Sequence, residues 1–69
     1  MKKPALKIIN RLINNFDLIF EKKDNYTDCA LHAIVGKIGL AVELELISLN
    51  EGDALIEKLF AKYSRLERF

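Results

Sequence analysis

Between Thr27 and Ser48 the chain carries a stretch that is apolar on two sides at once. Stepping roughly 100° per residue, the rotation of an α-helix, separates the two sides. Leu31, Ile34, Val35, Ile38, Ala41, Val42, Leu46 and Leu49 fall on one face, and Cys29, Ala33, Leu40, Leu44 and Ile47 on roughly the opposite one. His32, Gly36, Gly39 and Glu43 form a narrow strip between them. A helix with one apolar stripe lies on a core, whereas one that is apolar all round must be enclosed. A chain containing this stretch therefore has to cover a central helix from two directions.

Local signals agree with a helix. Thr27 is a candidate N-cap, its hydroxyl placed to accept from a first-turn amide. Tyr26 and Leu31 stand at the spacing of a hydrophobic staple, and Asp28 meets the positive end of the helix dipole. Gly36 and Gly39 oppose the helix by up to about 1 kcal/mol each relative to Ala. They also leave a low spot beside Ala33, which reads either as a place for another helix to approach or as a kink near Gly36. Val42-Glu43-Leu44-Glu45-Leu46 alternates as a strand would. No Asn-Gly, Asp-Gly or Pro turn follows to supply a pairing strand, so helix is the reading adopted.

Two further helices flank this one. Pro4 suits a first helical turn. From there Ala5, Leu6, Ile8, Ile9, Leu12, Ile13, Phe16, Ile19 and Phe20 make one broad stripe, with Lys7, Asn10, Arg11, Asn14, Asp17 and Glu21 opposite. After a short charged loop and the central helix, Asn50 is the candidate cap of the last helix, with Asp53 three residues on, and Ser48 with Glu51 is an alternative capping box just before it. Leu55, Ile56, Leu59, Phe60, Tyr63 and Leu66 then form the apolar face of the last helix. The expectation is a single all-α domain over residues 1–69, with three helices at 4–22, 27–48 and 51–66.

A chain of 69 residues is small for a self-sufficient core. The usual reinforcements are disulfides, metals or association. Cys29 is the sole cysteine, which removes an internal disulfide and fits a reducing compartment. Cys29 and His32 lie at i, i+3, but a structural zinc site needs four ligands and the chain holds no other Cys or His. No metal or cofactor is expected. Cys29 near a helix N-terminus would have a lowered thiol pKa, yet a nucleophile also needs an oriented base, an oxyanion site and a pocket. The reading is non-enzymatic. Glu45, placed on the main apolar face, would need Lys7, Arg11, Lys58 or Lys62, or a solvated rim, to offset the cost of burial.

Association remains. If the flanking helices cover Leu31, Ile34, Ile38, Val42 and Leu46, then Ala33, Gly36, Leu40, Leu44 and Ile47 are left as an interface, most simply of a two-fold homodimer. The rival is that the flanking helices lie on opposite sides of the central one and hide both faces in a monomer. Eleven basic against ten acidic residues give a net charge of +1, which does not point to nucleic acid. Lys58, Lys62 and Arg65 line one side of the last helix and are the candidate contacts if DNA is bound, although cations near a helix C-terminus are a common stabilising arrangement. The N-terminal Lys2 and Lys3 precede apolar residues, but Asn10, Arg11, Asn14, Asn15 and Asp17 interrupt any signal-peptide core. The stretch Ile38–Val42 is far short of the ~20 residues that span a bilayer. A cytoplasmic protein-binding or regulatory module is the leading expectation, and a small DNA-binding regulator is the alternative.

Overall fold

The structure, a computed structural model, describes residues 3–20 and 22–68. Helix α1 (Pro4–Asn14) begins with the proline in its first turn and buries Ile9 and Ile13. A single turn, α2 (Phe16–Ile19), follows at once. The sequence suggested one helix through residue 22; instead the path breaks at Asn15, and Phe20 is already extended (φ −114°, ψ 127°). Adjacent asparagines weaken a helix because their side chains compete for the backbone. Phe16, one helical turn beyond Ile13, lies in the core, with its ring 5.1 Å from that of the half-buried Phe20. Glu21, also expected in this helix, lies outside the described residues.

A two-residue strand, β1 (Lys22–Lys23), pairs in parallel with β2 (Glu67–Arg68), in the register Lys22 to Glu67 and Lys23 to Arg68. This clasp joins the first loop to the end of the chain and has no signature in the sequence.

Helix α3 (Asn25–Glu43) runs unbroken through Gly36 and Gly39. It starts two residues before the expected position. The N-cap is Asp24, whose Oδ1 accepts from the Thr27 amide at 2.9 Å. Thr27 is not the cap but a fully buried tie, its hydroxyl donating to the Lys22 carbonyl at 2.6 Å. Tyr26 is exposed, so the expected staple with Leu31 does not form. At the other end the helix stops five residues earlier than residue 48. The Glu45 amide donates to the Val42 carbonyl and the Leu46 amide to the Ala41 carbonyl. That pair of bonds is a Schellman stop. It places Glu45 at φ 59°, in the left-handed region that glycine usually fills. Glu45 is therefore exposed at a helix end and not on the buried face.

Helix α4 (Leu49–Ser64) opens with the capping box at Ser48 rather than at Asn50. The Glu51 amide donates to Ser48 Oγ at 3.1 Å, and the Ser48 amide to Glu51 Oε1 at 2.8 Å. Each of α1, α3 and α4 packs against the other two. Their shared core holds Ile9, Ile13, Phe16, Leu31, Ile34, Ile38, Ala41, Ile47, Leu55, Leu59 and Leu66. Such side chains supply roughly 1.5–3 kcal/mol each on burial, which makes packing the main stabiliser of the Ile-rich α1. The architecture is an all-α three-helix fold. Among the described residues no helix is long and apolar enough to cross a membrane.

Of the three glycines, it is Gly52 and not Gly36 or Gly39 that another helix approaches closely. A Cβ built on Gly52 would lie 2.7 Å from Val42 Cγ2, whereas one on Gly36 or Gly39 meets nothing within 4 Å.

Candidate functional site

Because α1 and α4 share one side of α3, its other side is left open. Cys29, Ala33, Gly36, Leu40 and Leu44 are all exposed along it, and Leu40 and Leu44 are 56% and 60% exposed. The rival arrangement, with α1 and α4 on opposite sides of α3, is not the one formed. Ile47 departs from the expected set. It is only 2% exposed and sits in the core. Had α3 continued, Ile47 would have faced outward. The Schellman stop reverses the chain and exchanges the roles, so Ile47 turns inward while Leu46 and Leu49 turn out.

The open face continues onto α1. Ala5, Ile8 and Ile9 from α1 meet Leu40, Ala41 and Leu44 of α3 and Leu46 beyond it around a hollow of about 210 Å³, with Lys37 at its edge. Ile8 is 56% exposed there. The α1 contribution was not assigned from the sequence. Its signal was the width of the α1 stripe, since a helix bearing Ala5, Ile8, Ile9 and Leu12 covers more arc than one core contact can hide. An exposed contiguous apolar surface is a common mark of a binding face. Around the hollow it offers shape and apolar contact, with Lys37 as the one charged residue among the described residues that line it.

The basic row on α4 is partly occupied. Lys62 Nζ lies 3.1 Å from Asp17 Oδ1. That hydrogen bond, with lesser help from the nearby Arg65 charge, holds the Asp17 carboxyl below its ordinary pKa. Lys58 Nζ donates to Asn10 Oδ1 at 3.1 Å. Lys62 is thus ion-paired to α2, whereas Lys58 is held only by a neutral amide of α1 that leaves its charge unopposed.

Asp28, Cys29 and His32 come together only as neighbours on α3. Asp28 Oδ1 accepts from the Tyr63 hydroxyl at 2.6 Å, and His32 Nδ1 donates to the Asp28 carbonyl at 2.8 Å. A carbonyl can only accept, so Nδ1 is the donor in this contact. The Tyr63 ring also carries Lys23 Nζ at 5.2 Å from its centroid. Asp28 and Tyr63 therefore tie α3 to α4 beside the clasp. Among the described residues no group of three or more His, Cys, Asp or Glu is placed to hold a metal ion. Comparison with protein-family models, with curated proteins and with solved structures finds no match.

Proposed function

We propose that the chain is a cytoplasmic, non-catalytic interaction module whose first partner is a second copy of itself. The observation that supports this is the uncovered apolar face of α3 and α1. Leu40 and Leu44 project beside a hollow floored by Ala5, Ile9 and Ala41, and Gly36 lies open next to them. A two-fold interface requires one patch to be its own complement. Projecting leucines next to an apolar hollow meet that requirement, since each copy's leucines can enter the other's recess. A small chain also gains most from association, having little core of its own. The action of such a module is steric: it presents or occludes a helical surface, and any further partner would read the same apolar face with its charged margin.

Leu44→Glu tests the reading. Leu44 lies outside the core, so the variant keeps its helical signal. Burial of a leucine in an interface is worth roughly 1.5–3 kcal/mol, and a carboxylate in its place adds a desolvation cost. The unmodified protein should sediment as a dimer at micromolar concentration and the variant as a monomer. An unmodified protein that is already monomeric under those conditions would remove the proposal.

A further inference from the structure

Helices α1 and α4 meet along an open groove of about 510 Å³ lined by Lys7, Asn10, Arg11, Asn14, Asn15 and Lys58. Three cations and three amides make its wall, and no carboxylate enters it. Three cations elsewhere have partners: Lys3 on Glu51, Lys62 on Asp17, Lys23 over the Tyr63 ring. Among the described residues neither Lys7 nor Arg11 has an ion pair, and Lys58 is held by the neutral Asn10. Like charges gathered round one concavity repel one another, and an anion in the groove reverses the sign of that interaction.

We propose that this groove binds the phosphodiester backbone of nucleic acid. Lys7 and Arg11 are spaced i, i+4, about 6 Å apart along α1, with Asn10 and Asn14 repeating the same interval beside them. A succession of evenly spaced donors suits a repeating anion better than a single one. The groove is open to solvent along its length, so a strand can run across it. Its lining has no aromatic ring on which a base could stack and no apolar wall to enclose a nucleobase or an acyl chain. Its donors therefore serve phosphate and sugar, contacts that position a duplex without reading its sequence. The Arg11 guanidinium can grip a phosphate with two parallel N–H bonds, and Lys58 approaches from the opposite wall on α4. No part of this site lines the hollow around Leu44, so it stands apart from the proposed dimer. It also moves the DNA contact suggested by the α4 row to a place that only the packing of α1 on α4 creates, joining residues 48 positions apart.

The test is fluorescence anisotropy of a labelled mixed-sequence duplex at increasing salt. Three phosphate contacts give a slope of log K against log salt of about −2.7, or roughly a 40-fold loss between 50 and 200 mM. Lys7→Gln, Arg11→Gln and Lys58→Gln should each lower the magnitude of that slope by about one. A double Lys7→Arg, Lys58→Arg variant should keep it. All three positions are exposed, and circular dichroism checks that each variant is folded. Should a variant unfold, a duplex with uncharged methylphosphonate linkages serves instead, and the unmodified protein must fail to bind it. Absence of binding at low salt would overturn the proposal, as would unchanged binding by a folded triple Gln variant. Uptake of tripolyphosphate without any binding of the duplex would overturn the backbone assignment in favour of a small polyphosphate.

Discussion

At Gly52 the absence of a side chain is what lets α4 lie on α3. A methyl there would have to displace Val42 Cγ2 from 2.7 Å, and a β-branched side chain held between two helices has few other rotamers. Gly52→Ala would gain up to about 1 kcal/mol of helix propensity but incur roughly 1–3 kcal/mol of overpacking. The expected result is a net loss of stability, read as a lower urea midpoint. Glu45 is the opposite case, a side chain where glycine belongs. Glu45→Gly relieves the left-handed strain at φ 59° and should stabilise the fold by up to about 1 kcal/mol, read as a higher thermal midpoint. A fall in the midpoint would show that Glu45 makes a contact worth more than the strain.

The helix termini carry the element-scale electrostatics. Glu51 closes the capping box of α4 and also receives Lys3 Nζ at 2.6 Å from the start of α1. The hydrogen bond from Lys3, followed by that from the Ser48 amide, brings its pKa from an ordinary 4.5 down to about 2. Asp24 is lowered by the Thr27 amide, and Asp17 by Lys62. For a depressed carboxyl the stabilisation is fully present above the unfolded-state pKa and is lost as pH falls through the folded one. Stability should thus decline as pH drops below about 4.5 towards 2. Glu51→Gln should flatten part of that decline, checked by unfolding midpoints across the acid range. An identical acid profile in the variant would show that Glu51 contributes nothing to it.

For the molecule as a whole, Gly36 separates folding from association. Its Cβ position is open in the single chain, so Gly36→Ala should stabilise the isolated fold by up to about 1 kcal/mol. In the proposed dimer the same methyl stands on the seam next to Leu40, where the partner's helix approaches, and association should weaken. Unfolding at a concentration well below dimerisation reads the first effect, and sedimentation reads the second. Association that is unchanged or stronger in the variant would place the seam away from Gly36.

Helix content, the number of long helices and the amphipathic faces of α1 and α4 follow from apolar periodicity and were legible residue by residue. The capping box at Ser48 and Glu51 was legible only as an alternative to a cap at Asn50, and the helix start at Leu49 decided between them. The surplus apolar face of the central helix was also legible at Ala33, Gly36, Leu40 and Leu44, which the periodicity places opposite the core residues. What periodicity could not reach was where each helix stops and which segments meet. The Schellman reversal after Glu43 took Ile47 inward and Leu46 outward, because side-chain direction beyond a helix end depends on the turn and not on the count of residues. The Gly52 approach, the β1–β2 clasp and the α1–α4 groove all join residues from different segments of the chain. Each exists only because burial of the shared core brings those segments into contact, an outcome set by three-dimensional packing that no local pattern encodes.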